Sequence, residues 1–390
     1  MNIQNFTPFP ASATVNVDKD GRKQLVVVCK GTFCFEDGIN NKPPSLNIEQ
    51  LPIFDSISYF GEPGFSAPRH EGDFSSPRPK CDVILNGSAV APEGVEITEN
   101  ICSLKLSTIN KSLRVIGDRY WFKRGIGEVS LSKPLPFTTK TISYDRAYGG
   151  GELNPKKSTA EEEVFTYLIN NPVGVGYYPH SKTSELDGKP APNIEKIDES
   201  VKNYTSEKYT PVSFGPIGRN WSPRYQLGGT FDSDWAENRR PFLPLDFDNR
   251  FYQCVPEDQQ TEYLQGGELV EITGMSPLQH ISFKIPELYP DIMLSLFNGK
   301  TIDLQSNVDT CLIETDKFRF SLVWRASWPV KGKLSDILNI VVGTPTRAYK
   351  RAEMLGKEYK PAGIKSLANV RTTKKECCDN CGNGNPCSGC

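Results

Sequence analysis

The sequence has little histidine: His70, His180 and His280 are the three in a chain of 390 residues. None of them lies in a recognisable motif, so we expect neither a histidine-based catalytic triad nor a histidine-rich metal site. The glycine-rich nucleotide-binding patterns, the G-x-S-x-G motif and the H-E-x-x-H motif are missing as well. The sequence therefore contains no catalytic motif, and we expect neither a nucleotide-dependent enzyme nor a common hydrolase.

Long apolar runs are also missing. No stretch approaches the ~18 to 20 consecutive apolar residues that a membrane helix needs, and the first twenty residues show no basic region followed by an apolar stretch. We therefore expect no membrane span and no Sec-type export signal. A hydrophobic content of 37% and a charged content of 24% are typical of a globular chain and not of a disordered one.

The formal net charge of −2 is unevenly distributed along the chain. Residues 346–375 contain nine Lys or Arg and two Glu, a net of +7, whereas residues 1–345 carry a net of −7. A basic segment after an acidic body is either solvated or meets an acidic surface on the body or on a partner. The acidity of the body argues against a nucleic-acid-binding face there.

Glycine and proline are frequent, with 32 and 30 residues, and they cut most apolar runs to strand length. The clearest strand covers 318–328, where aromatic residues alternate with mostly polar ones. Upstream, Asn298-Gly299 predicts a two-residue hairpin turn, and 279–328 as a whole reads as a β-meander. Further strands are predicted over 25–35, 82–85, 102–108 and 113–122. The fold class expected is mainly β, a multi-stranded antiparallel scaffold with long loops and a few short helices.

Few segments carry helix signals. Ser158 followed by EEEVFTYLI predicts a short helix over 160–169, and a second helix is expected after Ser335. A third, basic helix is predicted over 346–355, and the polar segment 181–210 is predicted to be a long surface loop. We divide the chain into a β-rich body (1–330), a helical, basic linker (331–375) and a small cysteine-rich knuckle (376–390).

Acidic and aromatic residues alternate in several stretches between residues 144 and 251. A β-rich carbohydrate-active enzyme needs little more than two carboxylates in an aromatic cleft. The candidate carboxylates are Asp145, Asp232, Asp234, Asp246 and Asp248. Arginines lie among them in nearly equal number, as in a network of charge-assisted hydrogen bonds that holds long loops: Arg146, Arg224, Arg239, Arg240 and Arg250. Enzymatic use and structural or partner-binding use of these residues both stay open at this point.

The same region resembles a bacterial family known as domain of unknown function 2169. The matching pieces follow one another over about residues 5–275. They include GEPG (61–64), DVILNGSA (82–89), GDRYW (117–121), YDRAYGG (144–150), NPVGVG (171–176), WSPR (221–224), GTFD (229–232) and RPFLPLDFDNRF (240–251).

The resemblance implies a cytoplasmic accessory protein of bacterial type VI secretion. Such proteins are similar to adaptors or chaperones that bring a toxic effector, often one linked to a PAAR domain, to the VgrG spike. The resemblance supplies no catalytic residue. It implies that the motif positions define the fold or contact the partner: Tyr144, Asp145, Arg146, Trp221, Arg224, Asp232, Trp235, Arg240, Asp246, Asp248 and Arg250. A carbohydrate-active enzyme and a structural component of the secretion apparatus are the alternatives.

Five of the eleven cysteines lie in the last fourteen residues. Two C-x-x-C pairs, Cys378 with Cys381 and Cys387 with Cys390, can surround one Zn²⁺ with four thiolates. The gap between the pairs is shorter than the ~12 to 20 residues of most zinc ribbons. An iron–sulfur cluster, redox-active thiols and a mobile tail are therefore alternatives to the expected zinc. The six remaining cysteines have no ligand spacing and are predicted to be buried thiols.

Overall fold

A computed structural model describes residues 2–39, 43–93, 95–125, 127–355, 357 and 367–373. Within these residues the chain forms 26 strands. They are β1 (Asn2–Asn5), β2 (Ala11–Val17), β3 (Lys23–Cys34), β4 (Gly38–Ile39), β5 (Ser45–Leu46), β6 (Ser58–Tyr59), β7 (Pro68–His70), β8 (Cys81–Val90), β9 (Glu99–Leu106), β10 (Ile109–Ile116), β11 (Trp121–Lys123), β12 (Val129–Leu131), β13 (Thr139–Ile142), β14 (Tyr148–Gly149), β15 (Gly151–Leu153), β16 (Phe165–Tyr167), β17 (Val175–Gly176), β18 (Ile194–Lys196), β19 (Gln260–Thr261), β20 (Leu269–Thr273), β21 (His280–Lys284), β22 (Ile292–Leu296), β23 (Thr301–Leu304), β24 (Asn307–Glu314), β25 (Arg319–Pro329) and β26 (Ile337–Val342).

Helices are few and short in this part of the chain. One α-helix, α1, covers Arg347–Met354, and a π-helical turn covers Trp235–Arg239. The 3₁₀ helices are Tyr144–Arg146, Thr183–Glu185, Arg224–Gly228, Asn249–Tyr252, Glu257–Gln259, Thr315–Lys317, Leu334–Asp336 and Leu367–Asn369. None of the described helices has the length and apolar character needed to cross a membrane.

Three sheets organise the strands. The largest has eight strands, with β13-β8-β24-β25-β3-β2 in line, β19 beside β8 and β5 beside β3. A six-stranded sheet has the order β18-β10-β9-β20-β21-β4, and a four-stranded sheet has the order β1-β26-β22-β23. Four two-stranded sheets complete the set: β6-β7, β11-β12, β14-β17 and β15-β16. Most pairings are antiparallel, so the prediction of a mainly β, multi-stranded antiparallel fold is confirmed.

The main core lies between the eight-stranded and the six-stranded sheets. Phe283 of β21 stacks on Phe320 of β25 with ring centroids 4.7 Å apart, and it also stacks on Phe35 at 4.6 Å. On the same face, Phe9 stacks on Trp324 at 5.5 Å. Fully burying an aromatic or aliphatic side chain contributes about 1.5–3 kcal/mol, so these ring contacts stabilise the packing on this face of the eight-stranded sheet.

The opposite face of the eight-stranded sheet is also covered. Ile53 and Phe74 pack on Val26, Val28 and Val323 of β3 and β25. Residues 51–80 and 251–255 run across this face, and they bury polar as well as apolar side chains. The polar side of the 318–328 strand is therefore also buried. The charged residues described below lie between this side of the sheet and the segments that cover it.

The sequence predicts individual strands better than it predicts how the strands are grouped into sheets. The predicted strands 318–328 and 25–35 correspond to β25 and β3, and the Asn298-Gly299 turn joins β22 to β23. The meander over 279–328 is wrong, because β21, β22-β23 and β24-β25 belong to three different sheets. Alternation of apolar residues shows which side of a strand is buried but does not select the strand that pairs with it.

Two of the three predicted helices are wrong. Residues 160–169 contain the strand β16 and no helix. The Ser158 hydroxyl, expected to cap the helix, instead donates to Asn154 O at 2.8 Å and accepts from Val164 N at 2.9 Å. These bonds close a turn instead of capping a helix. Residues after Ser335 form β26, whose run ILNIVV is rich in β-branched residues. The basic helix over 346–355 is confirmed as α1.

The segment 181–210 is only in part a surface loop. It contains β18, which pairs with β10, and four of its apolar side chains, Leu186, Ala191, Ile194 and Val201, are buried. Five of the six body cysteines are buried as predicted, and Cys34 is partly buried.

Candidate functional site

Charged side chains lie on the covered face of the eight-stranded sheet. They come from β3, β8, β24 and β25 and from the covering residues 73–78: Lys30, Asp82, Asp309, Arg325, Asp73 and Arg78. None of these residues is more than 4% exposed. A buried charge is costly unless it meets an opposite charge and hydrogen bonds. The three cations and three anions balance, which makes their burial physically acceptable.

Asp73 links the covering layer to two neighbouring strands. Its carboxylate lies 2.9 Å from Lys30 Nζ, and its backbone carbonyl accepts a 2.8 Å hydrogen bond from Arg325 Nε. Burial lowers the pKa of Lys30 to about 8, although the Asp73 carboxylate acts in the opposite direction. The contacts of Asp73 therefore join residues 51–80 to the sheet. The burial that accompanies them makes the Lys30 amine less basic.

Arg78 and Asp309 extend the same network toward β8. Arg78 Nε lies 3.0 Å from the Asp82 carboxylate, and Asp309 accepts from both the Arg78 backbone and the Arg325 guanidinium. Burial raises the pKa of Asp82 to about 6, against the opposing effect of Arg78. Cys254 N also donates to Asp82 at 2.7 Å, so the strand β8 is joined to the covering residues 251–255.

A second buried ion group contains Arg224 of the WSPR motif. Arg224 Nη1 lies 2.7 Å from Glu71 Oε1, and Arg219 Nη2 lies 2.7 Å from Glu71 Oε2. Arg224 also donates to Phe251 O at 3.0 Å and to Ile217 O at 2.8 Å. Burial acts to raise the pKa of Glu71, but Arg224 and Arg219 together lower it to about 2.

The cavity beside these two groups is small. Lys30, Phe54, His70 and Glu71 are among its lining residues, and its volume is about 10 Å³, about enough for one water molecule. Lys30 Nζ lies 3.0 Å from the centroid of the Phe54 ring. The His70 ring stacks on Phe54, with the two ring centroids 3.6 Å apart. A space of this size supports packing of the covering loop and does not accommodate a substrate.

The YDR motif meets the WSPR motif inside the protein. The Tyr144 ring lies edge-on to Trp221 with centroids 5.5 Å apart, and burial raises the pKa of the Tyr144 hydroxyl. Asp145 accepts hydrogen bonds from Ala67 N at 2.9 Å and from Ser143 Oγ at 2.8 Å. Arg146 is partly buried, and its carbonyl accepts from Asn193 N. These contacts join segments that are distant in the sequence.

The remaining predicted site residues lie on a different, solvent-exposed loop. Asp232 accepts from Trp235 N at 2.9 Å, and Trp235 Nε1 donates to Phe242 O at 2.8 Å. Arg240 is exposed and donates its backbone N–H to Trp235 O at 2.9 Å. The loop is therefore held by its own hydrogen bonds around the π-helical turn.

The second half of this loop is fixed in the same way. Asp246 accepts from Thr230 N at 3.0 Å and from Thr230 Oγ1 at 2.8 Å, and these bonds lower the pKa of Asp246. Arg250 lies 2.7 Å from Asp248 and lowers the pKa of that carboxyl. A general acid in glycoside cleavage needs a raised pKa, and both of these shifts have the opposite direction.

Four large apolar side chains of the loop face solvent. Tyr225, Phe231, Phe242 and Leu245 are exposed by 47%, 59%, 43% and 71%. We call the exposed side chains of residues 225–250 the 225–250 surface. The loop also contacts the β2–β3 turn, where the Phe242 ring lies so close to Gly21 that an added Cβ would be 3.2 Å from it.

The predicted residues differ in exposure. Tyr144, Trp221 and Arg224 are buried, whereas Asp232, Arg240, Asp246 and Arg250 are exposed. The other four are partly buried: Asp145, Arg146, Trp235 and Asp248. Across the described ranges, no group of three or more His, Cys, Asp or Glu side chains is arranged to hold a metal ion. The four predicted zinc ligands, Cys378, Cys381, Cys387 and Cys390, lie outside the described residues.

The buried network of six charges was not predicted from the sequence. A signal for it exists, because Lys30, Asp82 and Arg325 each stand within apolar strand sequences, LVVVCKGTF, CDVIL and SLVWRASW. Charged residues are almost never fully buried unless they are paired. A lone charge in a central strand therefore predicts a buried partner, although it does not identify that partner.

Comparison with known proteins indicates the same family as the motif residues do. The family model described as "Uncharacterized protein conserved in bacteria (DUF2169)" matches residues 20–325. No curated protein and no solved structure matches the chain. The match covers well over half of the sequence and includes both the buried network and the 225–250 surface. The chain therefore belongs to the bacterial family called domain of unknown function 2169.

Proposed function

We propose that the protein is a cytoplasmic accessory protein of bacterial type VI secretion. It acts as an adaptor or chaperone that binds an effector, PAAR-linked or similar, and promotes its loading onto the VgrG spike. The family resemblance of the motif residues is the source of this proposal. The observation that supports it best is the 225–250 surface, where exposed aromatic and arginine side chains are carried by a loop with fixed internal hydrogen bonds.

The composition of this surface suits protein recognition. Aromatic residues and arginine are enriched at protein interfaces, and a few of them supply most of the binding energy. Phe231 and Leu245 are the most exposed apolar side chains here, and Arg240 and Arg250 lie on the same loop. We assign Phe231 and Leu245 as the apolar anchors and the arginines as the polar rim.

The buried ion groups give this surface its rigidity. Arg224 stands before the loop and donates to Phe251 O just after it, at 3.0 Å. Asp248 N also donates to Leu227 O at 2.9 Å. Closing a loop at its base removes part of the ordering cost of binding. An adaptor needs such a preformed surface and needs no activated nucleophile.

The proposal is tested by capture with defined partners. Tagged protein is produced together with a PAAR-linked effector and the VgrG protein encoded by the same bacterium, and bound material is identified by mass spectrometry. We expect the wild type to retain the effector and the double variant Phe231→Ser, Leu245→Ser to lose most of it. Phe297→Ser, which changes a phenylalanine that is 69% exposed on the β22–β23 turn, is the matched control.

Gene deletion provides the second measurement. Loss of the protein should abolish export of one effector and leave export of other effectors intact. Wild-type protein that retains neither effector nor VgrG, together with unchanged export after deletion, would contradict the adaptor role. Co-sedimentation with assembled secretion particles in fixed stoichiometry would instead favour a structural component.

A further inference from the structure

The β15–β16 hairpin presents its apolar side to solvent. In the register of this pair Leu153 lies opposite Phe165 and Gly151 lies opposite Tyr167. Leu153, Phe165 and Tyr167 are exposed by 38%, 44% and 47%, and Ile169, which follows on the same side, is exposed by 57%. The Phe165 and Tyr167 rings stack with centroids 5.8 Å apart. In most antiparallel sheets with one solvated side, the apolar side faces the core.

The polar side of the hairpin faces inward and is fully engaged. Glu152 accepts from His180 N at 2.9 Å and from Lys189 Nζ at 2.8 Å. Thr166 Oγ1 lies 2.8 Å from His180 Nε2. A shift of one residue in register would exchange the two sides, so these bonds specify the outward position of the aromatic residues.

Gly151 lets the outward side stay flat. An added Cβ at this position would lie 2.1 Å from the Tyr167 ring, a distance at which the ring must move. The ring thus lies across the glycine and extends the apolar surface over both strands.

The turn between the two strands adds negative charge next to this apolar surface. Glu161, Glu162 and Glu163 are exposed and precede Phe165 closely, while Lys156 and Lys157 lie at the β15 end of the same turn. No ion pair joins any of the three glutamates to another described residue. We call Glu161–Glu163 with Leu153, Phe165 and Tyr167 the hairpin surface.

Helix α1 carries the complementary chemistry. Arg347, Lys350 and Arg351 are exposed and, at spacings of three and four residues, lie on one side of the helix. Met354 and Leu355 follow with exposures of 87% and 58%. On the buried side of the helix, Tyr349 packs edge-on against Phe6 with centroids 5.0 Å apart, which holds the cationic side outward. We call these five exposed residues the helix surface.

We propose that a second copy of this chain docks on the hairpin surface through its helix surface. The arginines and lysine of one copy meet the three glutamates of the other, and Met354 and Leu355 cover Phe165 and Tyr167. In the proposed pair each copy uses both of its surfaces, so the same two chains make the contact twice and form a closed two-fold dimer. The reciprocal contact doubles the buried area toward the ~1,200–2,000 Å² of stable interfaces. This inference does not depend on the adaptor function.

A charge exchange tests the proposal with the full-length protein. One variant carries Glu161→Lys, Glu162→Lys and Glu163→Lys, and the other carries Arg347→Glu, Lys350→Glu and Arg351→Glu. In sedimentation experiments each variant alone should be monomeric, because both contacts of its dimer join like charges. An equimolar mixture should recover the dimer, because both contacts then join opposite charges, and this recovery also shows that both variants fold.

The apolar part is tested separately. Phe165→Ser with Tyr167→Ser should weaken dimerisation at least about tenfold, as expected for removal of an interface anchor, and Phe297→Ser should leave it unchanged. Added salt should weaken the wild-type dimer. A wild type that stays monomeric at all concentrations would overturn the proposal. A dimer that persists in either charge variant alone would also overturn the proposal. So would an equimolar mixture of the two variants that stays monomeric.

Discussion

Two arginines of the family motifs show how strongly burial changes the role of a residue. Arg224 is 2% exposed and pairs with the buried Glu71, whereas Arg250 is exposed and pairs with the partly exposed Asp248. Exposed ion pairs contribute about 0–1 kcal/mol because water screens them. Removing one partner of a buried pair costs about 3–5 kcal/mol, because the remaining charge stays uncompensated. The same residue type is therefore structural at one position and available for a partner at the other.

This difference gives a prediction at the residue scale. Arg224→Met should lower the free energy of unfolding by about 3–5 kcal/mol, since Glu71 loses its most buried cation and two backbone carbonyls lose their donor. Arg250→Met, the matched exposed control, should lower it by less than about 1 kcal/mol. Urea unfolding followed by tryptophan fluorescence measures both values. Equal effects of the two substitutions would contradict the structural role assigned to the Glu71–Arg224 pair.

Short-range sequence signals were reliable for single elements with strong local preferences. The alternation in β25, the Asn298-Gly299 turn and the basic helix α1 are all present in the structure. The helix predicted over 160–169 failed because the Ser158 hydroxyl closes a turn and because β16 finds a partner strand in β15. Local preference decides an element only where no competing side-chain bond or strand partner exists.

Zinc binding by the cysteine-rich tail is a prediction that rests on the sequence alone. We propose that Cys378, Cys381, Cys387 and Cys390 bind one Zn²⁺, because four thiolates in paired C-x-x-C spacing suit tetrahedral coordination. Protein purified without oxygen should contain about one zinc per chain by mass spectrometry of metals, as a single tetrahedral site requires. Cys378→Ser should lose most of it, and Cys34→Ser, outside the tail, should retain it. Metal-free wild-type protein would contradict this proposal.

At the scale of the whole molecule, the two ends of the described chain lie together. Strand β26 is inserted between β1 and β22, pairing with β1 in parallel from Asn2↔Asn339 to Asn5↔Val342. Farther along, Arg371 pairs with Asp291 at 2.6 Å. Ile340 and Val342 of β26 are fully buried. Residues after 330 therefore complete a sheet whose other strands lie within residues 1–330.

Truncation tests how far this sheet depends on the C-terminal segment. A chain ending at Val330 lacks β26 and leaves β1 and β22 without their shared neighbour, so we expect loss of cooperative unfolding and aggregation through exposed strand edges. A chain ending at Lys375 keeps β26 and α1 and should unfold at the same temperature as the full chain. Calorimetry of both truncated proteins gives the answer. An unchanged, cooperative transition in the shorter chain would show that residues 1–330 fold without the segment that follows.

The sequence by itself determined the fold class, several individual strands and the position of α1. These features depend on backbone sterics and on neighbours a few residues away, which any stretch of sequence contains. It also singled out the motif residues, but not which of them are buried.

Only the tertiary structure decided the sheet membership of each strand, the outward face of the β15–β16 hairpin and the partners of the buried charges. Lys30 meets Asp73 across 43 positions, and Arg78 meets Asp309 across 231. Such contacts form only when the whole chain closes around them, because burial and pairing are set by long-range packing and not by local preference.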